Sequence, residues 1–263
     1  MNKYVDIGVN ITSKQLSGSV FNVLEDGHVH NVTDMIFTGS TLKSSLKSLE
    51  LAEIHNLLPI NKVKLWTTIG VHPHGAKEWT AATYDVIDLE LTKNNSTIVA
   101  VGEIGLDYDR MFSTKEEQLR AFEDQIKLSI KHNKPLFLHE RDAFDDFYKM
   151  LEKYKGQIKG VVHCFTGTKA NVQKYISLGM HIGITGWIGD NRRNADLLEA
   201  VKYIPLDKIM LETDAPYLSP IRSKVCYPSE IRFVCQLVAK QLKLQEDEFA
   251  RICYNNTRKF FSI

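Results

Sequence analysis

The chain has 263 residues, a formal net charge of +1, and 43% hydrophobic against 25% charged residues. That length matches the roughly 250 residues of a single eight-stranded β/α barrel, and the composition is that of a globular domain with a large core. The near-balance of charge excludes a strongly basic nucleic-acid scaffold, but not an enzyme that grips a few phosphates locally.

Short apolar runs and helix-like segments alternate from end to end, the pattern of an α/β parallel sheet. The chain enters its first strand at once. No apolar leader region precedes it, and no stretch approaches the ~20 apolar residues of a membrane span, so a cytoplasmic location is expected. Eight strands are predicted near residues 4–7, 34–37, 65–71, 98–103, 135–139, 160–163, 181–184 and 208–214, with helical candidates in the seven intervals. Further helices are expected after Pro228 and from about Gln245.

The clearest helix is predicted over residues 115–133, where Leu119, Phe122, Ile126 and Ile130 form one apolar stripe. Ser113 and Glu116 offer a capping box at its start, and Pro135 ends it. No repeat or Pro/Gly/Ser-rich linker divides the chain, so residues 1–263 are expected to form one domain.

Four of the apolar runs end on residues able to hold a metal ion: Glu103, His139, His163, and Glu212 with Asp214. Side chains alternate faces along a strand. By that rule Val99, Val101 and Glu103 share a face, as do Phe137 and His139, Val161 and His163, and Met210, Glu212 and Asp214. Cys164 is then expected to turn outward, toward the helical layer. Any one of these polar ends could be a solvated strand terminus or a turn residue. Together they call for convergence, which closure into a (β/α)₈ barrel supplies more directly than an open doubly wound sheet. Hydrolysis at a bound metal is the chemistry such a mouth suggests.

Further candidates lie on the same rim. His72 and His74 flank Pro73 at the end of the third strand, and Arg141 follows His139 by two positions; all three could hold a phosphate. Arg192 and Arg193 lie in the loop after the seventh strand, where barrels often bind phosphate. Phe165, Trp187 and Tyr217 follow mouth-facing strand ends and are candidate stacking faces for unpaired bases. His28 and His30 have the spacing of a metal pair but lie in a polar connection, and are expected to be surface histidines. Cys164, Cys226, Cys235 and Cys253 show no CxxC or finger spacing and read as reduced thiols.

At these residues the chain resembles the TatD family of metal-dependent deoxyribonucleases, barrels related to the amidohydrolases. The resemblance runs end to end through Asp6-Ile7-Gly8-Val9-Asn10, Gly70-Val71-His72-Pro73-His74, Gly102-Glu103-Ile104-Gly105-Leu106-Asp107, His139-Glu140-Arg141-Asp142, His163-Cys164-Phe165-Thr166-Gly167, Gly183-Ile184-Thr185-Gly186-Trp187 and Glu212-Thr213-Asp214-Ala215-Pro216-Tyr217-Leu218. It implies an amidohydrolase-like TIM barrel and a nuclease that trims single-stranded DNA from the 3′ end, with some action on RNA. It also implies metal ligation by Glu103, His139 and His163, with Asp214 at the metal and in catalysis.

Most of the wider family carries His-x-His at the end of the first strand, where this chain has Gly8 and Asn10. The branch named TatD shares that departure, which puts a permanent two-metal centre in doubt and leaves one or two ions open. Glu212 is a candidate compensating carboxylate, catalytic alongside Asp214. By ligand chemistry the imidazoles suit zinc or manganese, whereas the family is described as magnesium-activated; a weakly held, exchangeable ion reconciles the two. Two rival readings are an amide or ester hydrolase acting on a small molecule or aminoacyl group, and a barrel that binds nucleic acid or protein without turnover. Protein partners are not legible in the sequence.

Overall fold

The computed structural model describes residues 2–263. Eight strands, β1 (Tyr4–Val9), β2 (Val32–Phe37), β3 (Lys64–Ile69), β4 (Ile98–Asp107), β5 (Leu136–Arg141), β6 (Gly160–Val162), β7 (His181–Ile184) and β8 (Ile209–Leu211), lie side by side in chain order. Every neighbouring pair is parallel. Helices α1 (Val20–Val29), α2 (Leu42–Leu57), α3 (Ala81–Thr92), α4 (Lys115–Lys131), α5 (Phe144–Lys153), α6 (Lys169–Ser177) and α7 (Ala195–Ala200) fill the crossovers. Two more, α8 (Ile231–Leu242) and α9 (Glu246–Phe261), follow β8.

The circle closes between β1 and β8 by side chains more than by a ladder. One parallel bridge joins Val9 to Ala215, and Asn10 N donates to Ala215 O at 2.8 Å. Below it, the buried Asp6 carboxylate accepts from the Thr213 amide at 3.0 Å and from the Thr213 hydroxyl. Asp6 thereby fixes the residue between Glu212 and Asp214. The predicted (β/α)₈ barrel is the observed fold.

Two apolar layers result. The lumen is filled by Val5, Ile7, Ile36, Val99, Phe137, Val161 and Met210, and Phe260 and Phe261 at the end of α9 join this cluster. The larger layer lies between sheet and helices, where Met35, Leu65, Ile104, Leu138 and Ile182 meet residues such as Phe122 and Phe147. Burial of each such side chain contributes roughly 1.5–3 kcal/mol.

Helix α4 carries the expected apolar stripe, but its cap lies one residue later than predicted. Thr114, not Ser113, is the N-cap, and its box partner is Glu117. The reason is that the Ser113 hydroxyl is committed elsewhere: it donates to His74 O at 3.1 Å and accepts from Lys77 N at 3.0 Å. Strict alternation also fails along β4. Val99 faces the lumen, but Val101 packs in the outer layer. Register shifts against β3 between Thr67 and Thr68, and against β5 between Gly102 and Ile104, reset the phase so that Glu103 still reaches the mouth.

Candidate metal centre

The carboxyl ends of β3, β4, β5, β6 and β8 carry the polar residues predicted for the mouth. Glu103 lies within β4 and His139 within β5. His163 directly follows β6, His72 and His74 follow β3, and Glu212 and Asp214 follow β8. One oxygen gathers three imidazoles: Glu103 Oε1 lies 2.8 Å from His163 Nε2, 3.1 Å from His139 Nδ1 and 3.4 Å from His72 Nε2. His139 Nδ1 is also 3.4 Å from His163 Nε2. All four residues are largely buried.

Burial opposes ionisation of Glu103, but the imidazoles of His72 and His163 facing it, with hydrogen bonds from His139 and His163, hold its carboxyl well below the ordinary range. Burial equally disfavours a charged His163, yet Glu103 and Glu212 on its two nitrogens raise its pKa well above the usual value. The site thus concentrates anionic oxygens around imidazole nitrogens, a donor set that suits a divalent cation. His139 Nε2 supplies a further sign of fit. It is buried without a hydrogen-bond partner, 3.4 Å from Asp107 Oδ2 but poorly aligned with it.

His72 differs from the other imidazoles. Its Nδ1 accepts the His74 amide at 3.1 Å, so its proton resides on Nε2, facing Glu103. Burial lowers its pKa to about 3, against the pull of Glu103, so the ring is neutral and presents an N–H. Ligand-capable atoms of His72, Glu103 and His139 lie within 4.8 Å of one another, as do those of His72, His74 and Asp107. The tautomer favours a donor role for His72 in both groups.

Asp107 carries no strand-end signal of its own in the sequence, although it stands four residues after Glu103 in the same block. It is buried at the end of β4 because that strand runs further than predicted. Its Oδ2 lies 2.7 Å from His74 Nε2, and its other oxygen accepts the amides of Asp109 and Arg110 at 3.0 and 2.9 Å. Burial notwithstanding, the neighbouring His139 and the hydrogen bond from His74 hold its carboxyl well below the ordinary range. It steadies the His74 ring.

Asn10 is the second residue that sequence reasoning undervalues. Its Nδ2 donates to Asp214 Oδ1 at 2.8 Å and reaches Asp214 O at 3.5 Å. Asp214 itself adopts a left-handed backbone, φ 58°. Burial pushes its carboxyl up to about 7, against the lowering effect of His163.

Glu212 is fully buried beside the cluster. Its oxygens accept the Cys164 amide and approach His163 Nδ1 at 3.3 Å. A Cβ at Gly8 would lie 2.7 Å from Oε2, and one at Gly183 would lie 2.5 Å from Oε1. The Glu212 carboxylate therefore occupies the space that a side chain at position 8 would need. Cys164 does not turn toward the helices as predicted. β6 stops at Val162, Cys164 has φ 46°, and burial with the nearby charges of Asp214 and Glu212 pushes its thiol well up.

The remaining candidates scatter around the rim. Arg141 Nε pairs with Asp109 at 3.0 Å, and its side chain is half-exposed. Phe165 is buried edge-on against Tyr175 and offers no stacking face. Trp187 is covered on one face by Arg193, whereas Tyr217 is exposed. His30 Nδ1 lies 2.8 Å from Asp26 O on the α1–β2 connection. All four cysteines are free.

The chain is similar to known proteins over nearly its whole length. The family profile described as TatD related DNase matches residues 5–262. The 3′-5′ ssDNA/RNA exonuclease TatD of Escherichia coli strain K12 is 42% identical over 82% of this chain and 80% of its own length. The protein of the same name from Edwardsiella piscicida is 37% identical over 98% and 99%. Among solved structures, a hydrolase TatD family protein from Entamoeba histolytica superposes with a TM-score of 0.89 at 28% identity, covering 98% of each chain.

Proposed function

The chain belongs to the family of TatD-related DNases, and from that membership we propose that it is a divalent-metal-dependent 3′–5′ exonuclease acting on single-stranded DNA and on RNA. It is a hydrolase of phosphodiester bonds. The observation that carries this reading is the approach of three imidazoles to Glu103 Oε1 at the open end of the barrel.

Glu103, His139, His163 and Asp214 would hold the ion. The Glu212 carboxylate over Gly8 and the Asn10 amide on Asp214 favour a single tightly defined site, because neither first-strand position offers an imidazole. Magnesium is our choice for activity, with zinc and manganese suited to the nitrogen ligands. When bound, such an ion supplies Lewis acidity toward phosphoryl oxygens and makes nearby water more acidic.

The chain's own groups do the rest. Asp214, steadied by Asn10, accepts the proton of the attacking water. His72 donates its Nε2 hydrogen to a phosphoryl oxygen, and His74, held by Asp107, supports the same group. Arg141 can swing from Asp109 to the phosphate as a planar fork. Glu212 orients His163 by accepting its Nδ1 hydrogen. We assign all of this to one domain spanning residues 1–263, and place the protein in the cytoplasm, which suits its free cysteines. No helix among the described residues is long and apolar enough to cross a membrane.

The test is a 5′-labelled single-stranded oligonucleotide with magnesium, manganese or zinc, resolved at single-nucleotide steps. Progressive shortening from the 3′ end, abolished by chelation and by Glu103→Ala, is expected. Cleavage of an aminoacyl ester or amide in its place, with the oligonucleotide intact, would replace this reading with the small-molecule one.

A further inference from the structure

Two grooves open on the rim, and Trp187 borders both. The larger, about 710 Å³, lies between the loops after β5 and β6. Its charged lining sets Lys115, Arg141 and Lys149 against Glu140, Asp142, Asp145 and Asp146, so it carries no surplus of positive charge. The smaller, about 370 Å³, lies between the loops after β7 and β8. There Arg192, Arg193 and Arg222 face one carboxylate, Asp190.

The smaller groove is built before any ligand arrives. A Cβ at Gly186 would overlap Leu218 O, so the two loops pack backbone against backbone. The Arg193 guanidinium carbon lies over the Trp187 ring, 3.6 Å from its centroid, and its Nε bonds Asp190 at 2.8 Å. Trp187 Nε1 donates back to Arg193 O at 3.2 Å. On the opposite wall, Ser219 Oγ accepts the Ser223 amide at 2.8 Å and donates to Glu230, which holds the loop that presents Arg222. Arg222 is exposed and has no acidic partner among the described residues. Asp190 satisfies one arginine and orients the second, leaving a net positive, pre-shaped slot with an aromatic wall. Planar guanidinium groups in that setting match phosphate oxygens.

We propose that this groove binds a backbone phosphate of the nucleic-acid strand on the 5′ side of the bond being cut, with Arg222 as the principal contact. The identity of the ligand rests on the exonuclease reading above, but the site does not take part in the chemistry. A strand whose 3′ end enters the barrel mouth must leave across the rim, and of the two grooves only this one has surplus positive charge to guide it.

The test is fluorescence anisotropy of a 5′-labelled dodecathymidylate on the full chain in chelator, across a salt series, for wild type, Arg222→Ala and Arg222→Lys. Arg222→Ala should weaken binding about five- to tenfold and lower the slope of log K against log salt by ~0.7, the value for one single-strand phosphate contact. Arg222→Lys should retain most of the slope. With magnesium, Arg222→Ala should raise KM for the dodecamer and leave a dinucleotide substrate unaffected. An unchanged Kd and slope in Arg222→Ala would overturn the proposal, as would an equal loss on dinucleotide and dodecamer. Arginine-dependent binding without hydrolysis by wild type would sink the exonuclease reading and leave this groove standing.

Discussion

Replacing Glu212 by Gln isolates the link between the buried carboxylate and His163. The side chain keeps its volume, so it still fits between Gly8 and Gly183. Its hydrogen bonding cannot be kept. The carboxylate serves two donors, the Cys164 amide and His163 Nδ1 at 3.3 Å, whereas an amide has one acceptor atom. If the Gln oxygen takes the Cys164 N–H, its NH₂ faces His163 Nδ1 and forces the ring proton onto Nε2, toward Glu103. If the amide flips, two donors meet at Cys164. Either outcome removes a charge-assisted hydrogen bond worth about 1.5–3 kcal/mol. At ~1.4 kcal/mol per decade that is roughly ten- to a hundredfold in metal affinity, the range found for partners that orient metal-bound histidines. Calorimetric titration of the metal-free protein with manganese, beside a melting curve in chelator to verify the fold, measures it. A Kd and a kcat/KM both within twofold of wild type would refute the role of Glu212 in setting the His163 tautomer.

Asp214→Asn should keep the contact from Asn10 and, at saturating metal, lower kcat by a factor of about 10²–10⁴, read by single-turnover cleavage; retained turnover would reduce Asp214 to a structural residue. Asp6 is wholly buried, and that burial raises its carboxyl from 3.8 to about 7 against the bonds from Thr213 and Gly8. Because the folded pKa lies above the unfolded one, its stabilising contribution is full below about pH 4 and is lost as pH rises toward 7. Asp6→Asn should therefore gain on wild type by about 1.4 kcal/mol for each pH unit climbed inside that window, in urea titrations of the metal-free protein; parallel pH profiles would contradict it. Thr114→Ala removes the N-cap of α4 and should cost about 1 kcal/mol in the same assay, with activity unaltered.

Why some residues were legible and others not follows from how far each signal reaches. Glu103, His139, His163 and Asp214 end apolar runs, and an apolar run bounded by a polar residue is a local pattern. The sequence alone was enough to specify eight strands, their parallel alternation with helices, and the polar residues at their carboxyl ends. Asp107 and Asn10 escape such a reading as working parts because their partners are remote. His74 lies 33 positions from Asp107, and Asp214 lies 204 positions from Asn10. Alternation puts Val101 and Cys164 on the wrong side because bulges and a left-handed residue reset its phase, and those depend on the neighbouring strands. The cap moves from Ser113 to Thr114 because His74 and Lys77, from another loop, claim the Ser113 hydroxyl.

What only the tertiary structure decided is the division of labour among the carboxylates and imidazoles. Sequence names acids and histidines but not their hydrogen-bond partners, and in a buried site the partners set charge and tautomer. His72 presents a proton because the His74 amide takes its other nitrogen. Glu212 turns to His163 because two glycines on different strands leave room for its oxygens. Barrel closure brings those strands together, and no segment of the chain holds that information by itself.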